Sequence, residues 1–351
     1  MFKKILLLLL CLCLALSVGC SKKGENLSNV ESEPVVEETP VVEDTLHVNP
    51  LTGLKDIEEE KINDRPLAIT INNIKIAQPV QTGVGKADIV YETEVEGGIT
   101  RLLALYQNPE KVAKIGTVRS ARYVFIDLAM GHNAIYIHHG MDYFHALSHL
   151  DDVDRLVLGT NNGGVRISNG LASEHTLYAY GDKTWNYIEN STKIKTETDN
   201  ATSWQTFTDE TQSLTLGNIA NSVTVPFSTS SKSTFTYDSG TGKYIRSFNG
   251  TQRTDYVTKE TVNFKNVFVL LTTIRNYNCT GKDNKGHREV LLELGTGYYF
   301  VNGTYTPINW SKGKASNGIK FTNTDGTVLT VNAGNSWVCI ADKSKSAPQI
   351  S

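Results

Sequence analysis

Gly97-Gly98 stands between two runs of β-type patterning, Asp88 to Glu96 and Ile99 to Gln107. A two-residue turn between paired strands needs left-handed backbone at its central positions, which glycine adopts without steric cost. The stretch therefore predicts an antiparallel hairpin and argues against a purely parallel sheet. From about Asn49 to Asn200 the surrounding pattern alternates strand and helix. Pro66 to Asn72 and Ala134 to His138 predict strands, and Arg119 to Met130, Met141 to Leu150 and Asp182 to Glu189 predict helices. This is the texture of an α/β (α+β) domain.

Residues 201–221 are rich in Thr, Ser, Gln and Asn and are expected to form a junction. Beyond them, over 222–345, short β-like runs are separated by turns such as Asn249-Gly250, Asn302-Gly303 and Asp325-Gly326. Ser222–Pro226, Ser233–Tyr237, Lys243–Phe248, Asn266–Ile274, Arg288–Leu294, Tyr298–Val301 and Trp337–Ala341 are the expected strands of a mostly β C-terminal domain.

The N-terminus has a different character. Lys3 and Lys4 precede an apolar run from Ile5 to Val18, too short for a membrane span of roughly 20 residues and suited to a signal peptide over 1–19. The run ends in Ser17-Val18-Gly19-Cys20, which resembles a bacterial lipobox with serine where leucine is usual. Cleavage before Cys20 and lipidation of its thiol are expected, anchoring the chain to the outer face of the cell membrane. Residues 20–48 are acidic, contain Pro34 and Pro40 and lack aromatic residues, the composition of a disordered tether.

These segments carry the chain's excess acid. Of 34 basic and 37 acidic residues, the first 47 residues hold 4 and 7, which leaves 30 of each. A balanced folded part argues against a nucleic-acid binder that works by bulk charge. Residues 48–199 carry 15 basic and 20 acidic groups, and residues 200–351 carry 15 and 10. Cys279 and Cys339 are the cysteines outside the leader, able to pair in an oxidising compartment or to lie as separate thiols in β-strands.

The candidate chemistry gathers at the hairpin. With Gly97-Gly98 as a two-residue turn, Glu94 is expected opposite Arg101 and Glu92 opposite Leu103. Glu92, Glu94 and Glu96, two apart, are then expected on one face. Arg119 and Arg122 are expected to open the following helix, where two guanidiniums favour a carboxylate or anionic ligand. Glu92, Arg101, Arg119 and Arg122 are thus candidate ligand-binding residues, and Glu94 and Glu96 candidate acid/base catalysts. The cluster reads equally as a buried structural network. His139 and His175 are further acid–base candidates. His145 and His149 have helical spacing but no third ligand at a telling distance, so no metal or other cofactor is expected. The aromatic residues Tyr298, Tyr299, Tyr305, Trp310 and Trp337 read as a β core before they read as a sugar-stacking surface. GxSxG is absent, and Gly83-Val84-Gly85-Lys86 is no phosphate loop.

Several strings are specific: Arg65-Pro66-Leu67-Ala68, Ile71-Asn72-Asn73, Ala87-Asp88-Ile89-Val90-Tyr91-Glu92, Glu96-Gly97-Gly98-Ile99-Thr100-Arg101 and Gly116-Thr117-Val118-Arg119-Ser120-Ala121-Arg122. With Tyr244-Ile245-Arg246, Asn266-Val267-Phe268-Val269, Gly295-Thr296-Gly297, Asn309-Trp310 and Asn335-Ser336-Trp337, they resemble the YerB-like lipoprotein family over about residues 50 to 341. The resemblance implies a three-layer N-terminal α/β sandwich and a β-rich C-terminal domain, and it leaves activity open. A binding or scaffolding lipoprotein for wall polymer or an envelope protein is the expected role. A wall-glycan-cleaving enzyme using Glu94 or Glu96 is the alternative.

Overall fold

The computed structural model describes residues 45–199, 201–277, 286–345 and 347–351. The leader, the tether up to residue 44, Cys20 and Cys279 lie outside the described residues. His47–Val48 pairs antiparallel with Lys55–Ile57. The main elements follow in chain order: β1 (Leu67–Asn72), β2 (Ile89–Glu96), β3 (Ile99–Tyr106), α1 (Tyr123–Gly131), β4 (Ile135–His138), β5 (Arg155–Val157) and α2 (Gly181–Glu189). Then come β6 (Ser222–Pro226), β7 (Lys232–Asp238), β8 (Lys243–Phe248), β9 (Asn266–Thr272), β10 (Ile274–Asn276) and β11 (Arg288–Val290). Last are β12 (Leu294–Val301), β13 (Thr304–Ser311), β14 (Lys320–Asn323) and β15 (Ser336–Asp342).

Eleven strands form one sheet, in the order Asn218–Ile219, β13, β12, β9, β15, β2, β3, β1, β4, β5, with β14 beside β13. The pairing that joins its halves is parallel: β15 lies between β9 and β2, with Ser336 opposite both Asn266 and Ile89. Residues 45–351 accordingly form one compact unit. β15 is buried at all seven positions, as a strand covered on both faces must be.

Alternate residues of the sheet feed two cores. Ile69, Leu102, Val267 and Trp337 face α2 and a second, six-stranded sheet that contains β6, β7 and β8. Ala68, Leu103, Phe268 and Val338 face α1 and its surroundings. The sheet is thus the middle of three layers, and the mixed α/β class with a mostly β C-terminal region is as expected. A nine-residue helix is marginal alone in water, so α1 depends on burying Val124, Phe125, Ile126, Leu128 and Ala129. Each large apolar side chain contributes about 1.5–3 kcal/mol.

Two expected helices change. α1 begins at Tyr123 and not at Arg119, because the backbone before it is already bonded elsewhere. Arg119 N donates to Thr70 O at 2.9 Å, and Ala121 N donates to Gly140 O at 3.0 Å. The helix expected from Met141 to Leu150 is a short 3-10 turn, Leu147–Asp152. Asp142 Oδ1 accepts from Phe144 N at 3.0 Å, a local bond that competes with helix.

The hairpin forms, with a register one residue from that expected. Thr93 faces Arg101, Glu92 faces Leu102, and Glu94 faces Thr100, while Glu96 faces Ile99. The shift is a β-bulge that leaves Val95 unpaired between Glu94 and Glu96. A bulge re-aims the side chains that follow it. Glu92 and Glu94 therefore point toward the second sheet, and Glu96 points to the α1 side with Arg101. The three carboxylates do not share a face.

Candidate functional site

Glu92 is fully buried. Its carboxylate accepts from Asn73 Nδ2 at 2.8 Å, Thr100 Oγ1 at 3.0 Å and, across to the second sheet, Ser233 Oγ at 2.8 Å. Arg246, also fully buried, lies 3.5 Å away, and its guanidinium covers the Trp337 ring at 4.4 Å. This network ties the two sheets together and is closed to solvent. Glu94 receives Arg288 Nε at 2.6 Å beside a hollow lined by Gly98, Pro226, Ser228 and Lys232.

On the opposite face Glu96 is gripped by two guanidiniums. Arg122 donates Nε to Oε2 and Nη2 to Oε1, both at 2.7 Å, and Arg101 Nη2 donates to Oε1 at 2.7 Å. Burial pushes the Glu96 carboxyl up, but Arg101, Arg122 and His287 more than offset this and hold it below its usual range. Burial and the neighbouring Arg122 push Arg101 down to about 9, still protonated at neutral pH. The cluster is therefore a charged triad, and Glu96 is a poor reservoir for a catalytic proton.

His287, immediately before β11, bridges to Glu96 and lies 3.8 Å from its Oε2. Its Nδ1 is 3.3 Å from Asp142 Oδ2, which also receives His145 Nδ1 at 3.0 Å. Burial pushes His287 down, and Arg122 adds to this against the opposing Asp142 and Glu96. For Asp142, burial is outweighed by Phe144 N, His145 and His287, so its carboxyl lies below its usual range. His149 stands apart, 3.9 Å from Asp152. The third partner that the spacing of His145 and His149 lacked comes from Asp142 and the distant His287. Asp142-x-x-His145 was the readable part; nothing in the sequence linked it to His287.

Arg119 belongs to a separate group. Its Nη1 donates to Glu174 O at 2.9 Å, and Nη2 lies 3.8 Å from the Glu174 carboxylate. His175 Nδ1 accepts from Asn72 Nδ2 at 2.8 Å, and its Nε2 faces Glu174 Oε1 at 3.2 Å. His139 donates Nδ1 to Leu158 O at 2.8 Å and accepts at Nε2 from Arg166 at 3.2 Å. Both ring nitrogens of each histidine are engaged. Tyr299, Trp310 and Trp337 are buried in the cores, while Tyr298 and Tyr305 are partly exposed. Cys339 is a buried free thiol.

A larger hollow lies elsewhere. A cleft of about 1100 Å³ opens between the C-terminal end of α1 and the segment joining β13 to β14. Trp204 lines it, its ring packed edge-on against Phe268 and Phe321. Arg65, Lys312, Lys314 and Lys320 line it against the acidic Asp64 and Glu293, with Asn133 and Asn317 among the neutral donors. Lys314 and Lys320 are exposed. Lys312 is buried, its ammonium donating to Lys314 O and Ala315 O, and burial pushes it down to about 8. The residues come from several well-separated stretches of chain, and no motif in the sequence joins them.

Two family profiles, described as the N-terminal and C-terminal domains of "Protein of unknown function (DUF3048)", match residues 51–195 and 223–338. Over 312 residues the chain is 31% identical to "Putative lipoprotein YerB" of Bacillus subtilis (strain 168), across 83% of this chain and 85% of that protein. The chain belongs to the DUF3048 family. The crystal structure of YerB protein from Bacillus subtilis matches with a TM-score of 0.72 and 27% identity, covering 86% of this chain and 99% of that one. The family's two profiles fall on either side of the 201–221 stretch, while β15 and β2 pair across it in one sheet.

Proposed function

We propose that this DUF3048 chain is a lipid-anchored protein of the extracytoplasmic face of the membrane that binds an anionic wall polymer in the Trp204 cleft. The signal-like run ending at Cys20 and likeness to a protein named as a lipoprotein support the anchor. The cleft carries the binding reading. Its volume is of the order of small-molecule sites, roughly 300–1,000 Å³. An aromatic ring offers a face for a sugar, amides and hydroxyls offer orienting bonds, and the basic lining attracts negative charge.

The geometry favours holding over cutting. Glycoside cleavage uses two carboxyl groups about 5–10 Å apart across one sugar, one of them protonated at neutral pH. Here the bulge turns Glu94 and Glu96 to opposite faces, and each is paired with arginine.

Co-sedimentation of the full-length chain, purified in detergent, with isolated cell walls tests the reading. Binding to intact walls that falls at least tenfold once the anionic polymer is stripped supports it. Equal binding to stripped walls, or none to intact walls, overturns it. Release of soluble muropeptides would replace it with the enzymatic reading.

A further inference from the structure

Asp142, His145 and His287 bring three metal-type donor atoms within 4.8 Å of one another. Asp142 Oδ2 is their centre, 3.0 Å from His145 Nδ1 and 3.3 Å from His287 Nδ1. Bonds of about 2.1 Å to one ion spanning these gaps would subtend angles of roughly 90° and 105°, within the range of four- to six-coordinate first-row ions. The two histidine donors, within 4.8 Å of one another, share one ion at that bond length once they stand no more than about 4.2 Å apart.

A second observation concerns His287 itself. The residue is 7% exposed, and its Nδ1 makes no directed hydrogen bond although two carboxylates lie near it. A buried ring nitrogen without such a bond is left unsatisfied, a cost that coordination would remove. The neighbouring groups fix the donors. Asp142 Oδ1 is held by Phe144 N at 3.0 Å, and the Tyr277 ring stacks on His145 at a centroid distance of 3.7 Å. Glu96 is occupied by Arg101 and Arg122, which leaves Asp142 as the carboxylate that meets His145 and His287.

We propose that Asp142, His145 and His287 form a binding site for a divalent transition-metal ion of the zinc class. Two imidazoles and one carboxylate suit zinc better than calcium or magnesium, which prefer all-oxygen shells. Three protein ligands leave a fourth position for water or a ligand atom. The site lies apart from the Trp204 cleft residues and does not depend on the proposed function.

Zinc itself is the probe. The full-length chain in detergent, dialysed against buffered zinc and measured for bound metal, should hold one ion per chain. His287→Gln and Asp142→Asn should each weaken that binding by at least about tenfold. Unchanged affinity in both variants, or no stoichiometric zinc in the wild type, overturns the proposal. Anomalous scattering at the zinc edge from crystals of the unaltered protein guards against variants that fail to fold. A peak bonded to Asp142, His145 and His287 supports the site, and its absence there overturns it.

Discussion

Arg122 and Glu96 meet in a two-bond fork, Nε to Oε2 and Nη2 to Oε1, each at 2.7 Å. Such pairs combine charge with fixed geometry, and Arg101 adds a third bond from β3. Because Arg122 immediately precedes α1 and Glu96 ends β2, the fork fastens the helix start to the hairpin.

Replacing Glu96 by Gln leaves Arg101 and Arg122 together with no balancing charge. Breaking a buried pair by removing one partner costs roughly 3–5 kcal/mol, and the partial exposure of Glu96 puts the expectation nearer 2–3 kcal/mol. Urea unfolding should show a lower midpoint with an unchanged slope. A midpoint like that of the wild type would show that the triad adds no stability.

The Glu92–Arg246 contact should behave as a closed unit. Glu92→Gln or Arg246→Met alone should each cost about 3–5 kcal/mol, because each strands the other group in a dry core. Glu92→Gln with Arg246→Met should cost clearly less than the two single losses combined. Additive losses in a double-mutant cycle would mean the two side chains act independently.

Asp88 sets a pH dependence. Its carboxylate accepts from Asn49 Nδ2 at 3.0 Å and Gln107 N at 2.7 Å, yet burial pushes it up to about 7 from a usual 3.8. A folded-state value above the unfolded one means the unfolded chain gives up its proton first. The contribution of Asp88 is therefore full below about pH 4 and declines as pH rises toward 7. Stability of the wild type relative to Asp88→Asn should fall across that window, measured by denaturant titration at several pH values. A difference that grows with pH would contradict the assignment.

Much of the fold was legible because local signals agreed with tertiary demands. Ser222–Pro226 and Lys243–Phe248 have the expected bounds, and α2 starts one residue before the expected Asp182. The site was less legible. A two-residue Gly-Gly turn predicts pairing but not a bulge two residues earlier, and that bulge decides which face Glu96 joins. Arg119 and Arg122 have helical spacing, yet long-range backbone bonds to Thr70 and His139 keep Arg119 out of the helix. Trp204 lay within a stretch read as a junction, and its cleft needs Arg65 and Lys314 brought from opposite ends of the sequence. Contacts made only by topology leave no periodicity to read.

The central claim is that the Trp204 cleft, and not the hairpin face, binds the polymer. Lys314→Glu with Lys320→Glu reverses two exposed charges at the cleft, and Lys232→Glu reverses one beside Glu94. Affinity of the full-length protein for purified anionic wall polymer, measured at one fixed salt concentration, compares them directly. The account predicts at least about a tenfold loss for the cleft variant and binding within about twofold of wild type for Lys232→Glu, since rim charges act through steering and complementarity. Full binding by the cleft variant with loss in Lys232→Glu would contradict it.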